Sequence, residues 1–304
     1  MSLPEQKKSG LNPGPLYLLA TAILWSTAGV LSKYIPWGAL SVACARALIA
    51  VPIQLLSYKR PLKITKPILL TAVCCLGETS LFMLANKMTS AGSAIVLQNT
   101  SPLYIMLMSL IVLKQKPSKL DCCAGVMIFA GIALSMIDTL RGGELPGSNP
   151  MLGNLLALLS GVFYAGIFFS SRLPGADPLP SHILGNCMYV LLIPVLLRDP
   201  AVLHPGAYGV SLWKTLLAVL FMGACQQGLA GVLFSKGISR TPSLQASFIT
   251  MIEPVLNPIL ALIFLGEAMG TLSIIGSVLV VVTVTVHNVL TEKQQEKQKS
   301  QEVS

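Results

Sequence analysis

The sequence predicts an all-α integral membrane protein, with ten transmembrane helices arranged as two inverted five-helix repeats. Three observations lead there: an apolar composition, a one-sided distribution of positive charge, and a weak repeat between the two halves. Of 304 residues, 53% are hydrophobic and 11% charged, against roughly 25% charged in a soluble domain. Such a chain has too few polar groups to cover a water-facing surface, and lipid is the solvent that fits.

A bilayer core about 30 Å thick takes roughly 20 apolar residues of helix. Apolar tracts near 15–34, 38–58, 67–86, 91–113, 119–138, 151–171, 181–198, 212–235, 242–265 and 270–290 meet that length or approach it. The seventh is the weakest, because it begins Ser181-His182 and carries Asn186. The first follows Lys7 and Lys8 and has the look of a signal peptide, but it runs into Trp25 and Lys33 without a small-residue cleavage site. It is read as a span. Residues 1–14 and 291–304 are then terminal segments, and the Gln/Lys/Glu-rich tail from Glu292 reads as a frayed helix or a disordered end.

The net charge of +9 raises a nucleic-acid reading, which its distribution excludes. With a cytoplasmic N-terminus, ten spans put fifteen basic residues inside, among them Lys59, Arg60, Lys63, Lys66, Lys114, Lys119, Lys236 and Arg240. Five lie outside: Lys33, Lys87, Arg141, Arg198 and Lys214. That asymmetry is the positive-inside pattern. It places both termini in the cytoplasm.

The repeat is read from position. Trp25 and Lys33 stand eight apart, as do Tyr164 and Arg172; Pro102 and Pro254 are offset by 152, which also pairs Ala94 with Ala246 and Leu113 with Leu265. Two halves, 15–138 and 151–290, are joined by a polar linker over 139–150. Because five is odd, the second half enters from the opposite face. Inverted repeats of this kind hold a solute site near the midplane and expose it to each side in turn.

Two stretches resemble a known family. Gly237, Arg240-Thr241-Pro242-Ser243, Ala246-Ser247, Glu253-Pro254-Val255 and Leu265-Gly266-Glu267 look like the ninth-span signature of the drug/metabolite transporter superfamily, in its EamA branch. Met88-Thr89-Ser90-Ala91-Gly92 through Pro102 looks like the matching fourth-span signature, and Arg46 sits where the family often carries an arginine. The sequence departs at Gln115, where the family often has Gly-Glu. The resemblance implies ten helices, inverted repeats and solute movement, usually export of amino acids or related metabolites. A flippase for a lipid-linked substrate is the alternative within the same superfamily.

Polar groups inside spans cost about 2.5–3.5 kcal/mol each when charged and central, so each needs a reason. Glu78, mid-way along the third span, is either a carboxylate facing a cavity, binding an ammonium or a coupling proton, or the structural partner of Arg46. Arg46 either holds a substrate carboxylate or braces Glu78 or a helix end. Pro254 and Pro258 free the carbonyls of Thr250 and Pro254, and Pro102 frees that of Gln98; beside Gln98, Asn99, Glu253 and Asn257 these are candidate solute ligands or static kinks. Gln226 and Gln227 point about 100° apart on an α-helix, so one of them faces a cavity. Trp25 and Tyr104 are candidate cavity walls. Glu267 reads as a cap or loop anchor, and His287 as interfacial.

Other functions lack their residues. No GxxxxGK[ST] loop occurs, which disfavours a pump. His182, His204 and His287 lie in separate regions, and no HExxH or Ser/His/Asp set is legible, so no enzyme, metal or cofactor is expected. The seven cysteines sit in or beside apolar tracts and read as small buried hydrophobes. The expected partners are a small-molecule substrate and membrane lipids, with no nucleic acid, and the chain works as a monomer or homodimer.

Overall fold

The structure is a computed structural model that describes residues 13–112, 114, 118–141, 149–170, 173–238, 240–241, 249–250 and 252–302. Pro242, Ser243, Ala246, Ser247, Gln115 and Arg172, which the sequence singles out, lie outside the described residues. Every regular element among the described residues is helical. In chain order the longer ones are α1 (Gly14–Tyr34), α2 (Ala39–Ser57), α3 (Lys66–Met88), α4 (Ala91–Gln98), α5 (Ser101–Val112), α6 (Lys119–Arg141), α7 (Pro150–Ser170), α8 (Pro178–Leu197), α9 (Leu212–Gly237), α10 (Ile252–Leu265) and α11 (Thr271–Glu302), with two short helical turns, Pro200–Leu203 and Pro205–Tyr208, between α8 and α9. Six of them, α1, α2, α3, α7, α8 and α9, are long and apolar enough to cross a membrane; α10 and the Thr271–His287 part of α11 are shorter apolar helices. The chain is a multi-pass membrane protein.

Packing is inverted relative to a soluble protein. The buried positions are rich in alanine (Ala22, Ala43, Ala47, Ala50, Ala85, Ala94, Ala157), while Leu56, Ile111, Phe129, Leu191, Trp213, Ile263 and Phe264 stand exposed. Small residues inside allow backbones to approach, and bulky ones outside meet lipid tails. One close crossing is between α6 and α11. A Cβ built on Gly276 would lie 2.5 Å from the Gly131 carbonyl oxygen, and one on Gly131 would lie 2.8 Å from that of Gly276.

Helix ends are set by side chains that satisfy amides otherwise left bare. Ser90 Oγ accepts from Ser93 N (3.1 Å) to start α4, and Ser118 and Asp121 exchange hydrogen bonds (2.7 and 3.1 Å) to start α6. Asp138 Oδ2 accepts from Ser273 N (3.1 Å) at the start of α11, and Asp199 Oδ2 from Gly38 N (2.7 Å) at the start of α2. Carboxylates from distant helices therefore do capping work.

Four spans depart from regular α-helix, three of them for a local reason. In α1, Thr27 turns its hydroxyl and its amide back to the Leu24 carbonyl (2.7 and 3.3 Å), which interrupts the helix. The tract expected over 91–113 is two helices, because Asn99 Nδ2 donates to the Ile95 carbonyl (2.9 Å), Thr100 Oγ1 donates to that of Leu97 (2.7 Å), and Pro102 has no amide to offer. The weak seventh span is helical but tightens to 3₁₀ over Met188–Leu192, just before Pro194. In α9 the Met222–Leu229 stretch is a π-helix. Of the two readings of the tail, a frayed helix or a disordered end, the structure has it helical: α11 continues past 290 to Glu302.

Candidate functional site

A small cavity of about 80 Å³ lies inside the bundle, enough for several waters on a scale where one needs roughly 10–15 Å³. Its charged lining is Arg46 from α2, Glu78 from α3 and Glu253 from α10. Trp25, Tyr164, Phe168 and Phe234 wall it, with Gln98, Gln226 and Gln227 between. Trp25 and Phe234 meet at a tilt of 37° with ring centroids 5.1 Å apart, and Tyr164 meets Phe168 edge-on at 5.0 Å.

The two carboxylates are held differently. Glu78 accepts from Thr79 Oγ1 on one oxygen (2.8 Å) and from Gln98 Nε2 on the other (2.5 Å). Glu253, 9% exposed, accepts no hydrogen bond among the described residues. Arg46, 3% exposed, donates from Nη1 to Gln226 Oε1 (2.9 Å), and its Nε has no hydrogen-bond partner among the described residues. Arg46 and Glu78 make no ion pair: the mutual brace, one of the readings the sequence leaves open, is replaced by amide contacts, Gln226 on the guanidinium and Gln98 on the carboxylate.

The π-helix explains why both glutamines reach the site. Its i→i+5 pattern inserts a residue into the turn and re-aims the side chains that follow. Gln226 meets Arg46 while Gln227 Nε2 donates to Asn186 Oδ1 (2.9 Å), whose Nδ2 donates to Gln54 Oε1 (2.9 Å). Gln54 Nε2 returns to the Gln227 carbonyl (3.2 Å). The expectation that only one of the pair faces a cavity assumed α-helical spacing, and it fails here.

Three predicted residues lie elsewhere. Asn99 spends its amide on the Ile95 carbonyl. Tyr104 packs beside Gly161, and the Gln98 carbonyl freed by Pro102 abuts the same glycine instead of a solute space. Asn257 is fully buried beside Gly29, with neither amide atom hydrogen-bonded among the described residues. Pro254 and Pro258 stand one turn apart on α10, and Ile249 and Thr250 ahead of it are helical as well. Glu267 anchors its loop, as expected: Oε1 meets Lys33 Nζ (2.5 Å) and Oε2 accepts from Ala91 N (3.2 Å). His287 pairs with Asp121 at 2.6 Å and joins α11 to α6.

The sequence model of the EamA-like transporter family matches residues 12–137 and, a second time, residues 151–289. The chain belongs to that family. Among relatives, it is 27% identical over 296 residues to the uncharacterized transporter YwfM of Bacillus subtilis strain 168, covering 92% of this chain and 95% of the relative. An uncharacterized transporter of Clostridium kluyveri is 23% identical over 288 residues, covering 90% and 92%. A solved crystal structure superposes with a TM-score of 0.61 at 17% identity, covering 92% of this chain and 99% of that one. The fold is thus shared over nearly the whole length, and the protein is a membrane transporter of a bacterial EamA family.

Set on the two family matches, the cavity draws from both. Trp25, Arg46, Glu78 and Gln98 fall in the first, and Tyr164, His182, Gln226 and Glu253 in the second. His182 and Cys75 are cavity residues that sequence reasoning missed, with Cys75 Sγ 3.8 Å from His182 Nδ1. A histidine inside an apolar tract carried the signal, but its place at the start of the weakest span made it look peripheral. The buried-hydrophobe reading of the cysteines also fails for Cys122 and Cys123, which are exposed on α6.

Proposed function

We propose that this EamA-family protein is a secondary-active transporter that exports small polar metabolites, amino acids or related compounds, by alternating access. One observation carries the reading: a guanidinium and two carboxylates are gathered in one cavity of an otherwise apolar bundle, and they come from both segments that the family model matches. Burying three ionisable groups is costly unless they meet a polar solute. Family membership supplies the transport class, and the two matched segments support two five-helix halves, 15–138 and 151–290, rocking about the site between them. The positive-charge asymmetry supports cytoplasmic termini in a bacterial inner membrane.

Proteoliposomes holding the full chain test it. Uptake or release of radiolabelled amino acids, with and without a pH gradient, is expected above empty liposomes, and Glu78→Gln lowers it. No flux of any amino-acid-like solute under either condition contradicts the proposal. Scrambling of a labelled lipid by the same vesicles would move the assignment to a flippase.

A further inference from the structure

The two cavity carboxylates are not equivalent. Both oxygens of Glu78 are engaged, by Thr79 and Gln98 from the protein itself. Glu253 lines the same space, is 9% exposed, and accepts nothing among the described residues. A buried carboxylate without a partner is costly, and a bound cationic group is what offsets it. The titratable and charged groups that line the cavity around Glu253 are Glu78 of α3, Arg46 of α2, Tyr164 of α7, and Cys75 and His182 from α3 and α8. Of these only Arg46 is a fixed cation; its Nη1 is engaged by Gln226, its Nε has no hydrogen-bond partner among the described residues, and it makes no ion pair with Glu253.

The remaining walls suit a cation with an apolar body. Trp25 and Phe234 meet at a tilt at 5.1 Å, His182 meets Phe234 edge-on at 6.2 Å, and Tyr164 meets Phe168 at 5.0 Å. Aromatic faces attract ammonium groups, more so when water is excluded. We infer that Glu253 is the counter-charge for a protonated amine on the solute, and that Glu78 is a positioning residue whose hydrogen bonds fix Gln98 and hold the cavity's shape. This rests on the transport reading for calling the amine part of a solute, yet it predicts binding whether or not flux occurs.

Dicyclohexylcarbodiimide, which attacks protonated carboxylic acids in apolar surroundings, tests the division on the purified full chain, with the labelled residue located by peptide mass spectrometry. Modification at Glu253 is expected to exceed that at Glu78 by about fivefold or more, because both Glu78 oxygens are held by hydrogen bonds and those of Glu253 accept none among the described residues. Butylammonium is expected to slow it about threefold or more, while the neutral isostere 1-butanol leaves it unchanged. Modification at Glu78 instead, modification at neither, or equal protection by 1-butanol would overturn the assignment. The labelling is read on the wild-type protein, so it does not depend on whether Glu253→Gln folds. Protection by butylammonium in a protein that shows no flux supports the amine site while overturning transport. Flux without such protection overturns the amine site and leaves transport standing.

Discussion

Lys33 Nζ lies 2.5 Å from Glu267 Oε1, so the end of α1 is tied to the turn after α10. The turn is shaped for it: Gly266 takes a left-handed φ of 66°, and the amides of Gly266 and Glu267 return to the carbonyls of Leu262 and Ala261. The other Glu267 oxygen caps α4 at Ala91, and Lys33 also donates to the Thr89 carbonyl (2.7 Å). One carboxylate therefore holds three segments, and Lys87, which donates to the Ile35 carbonyl, adds a fourth.

Because this pair is mostly buried, Glu267→Gln is expected to lower stability by about 1–3 kcal/mol, largely by leaving Lys33 uncompensated. Lys33→Met in the same chain should recover part of that loss. Thermal unfolding of both single variants and the double variant, read as a double-mutant cycle, gives the coupling. Additive losses would show that the two residues do not interact.

The α6–α11 crossing leaves no room for a methyl group. Gly276→Ala places a Cβ against backbone at Gly131, which no rotamer change relieves. A loss of about 1–3 kcal/mol is expected from the forced separation of the helices. Thermal unfolding in detergent measures it, and an unchanged midpoint would mean the two backbones stand further apart than described.

The amide chain Gln54–Asn186–Gln227 locks α2, α8 and α9 together inside the bundle. Asn186→Leu removes its centre and strands two buried amides, at about 1–3 kcal/mol each. Asn186→Leu is expected to unfold at lower temperature than Asn186→Ser, which keeps a donor and an acceptor.

In flux, Glu78→Gln is expected to cost about tenfold, from loss of charge-assisted hydrogen bonds worth about 1.5–3 kcal/mol. Gln98→Ala should lower flux in the same direction through the same carboxylate. Equal flux in wild type and both variants would remove the site from the path.

Much of this was legible in the sequence, because charge in an apolar tract is costly and therefore conspicuous. Arg46, Glu78, Gln98, Gln226, Glu253 and Trp25 stood out and do share one cavity. What stayed hidden was orientation. Nothing in the residue pattern announces the π-helix that brings Gln227 in beside Gln226, nor the side-chain turns at Asn99 and Thr100 that divide one apolar tract into α4 and α5. Tyr104 and Asn257 are as unusual in sequence as Glu78, yet they pack against glycines away from the cavity. Arg46 and Glu78 looked like mutual partners because opposite charges in neighbouring helices usually are; amides reach each of them first.

Cys75 is a native reporter inside the cavity. The decisive measurement is its modification by a membrane-impermeant methanethiosulfonate ammonium reagent, applied to right-side-out and to inside-out vesicles, with Cys75→Ser as the blank. Alternating access predicts modification of Cys75 from both faces, slowed in each case by a transported solute. Modification from one face alone, whatever solute or gradient is imposed, would contradict it.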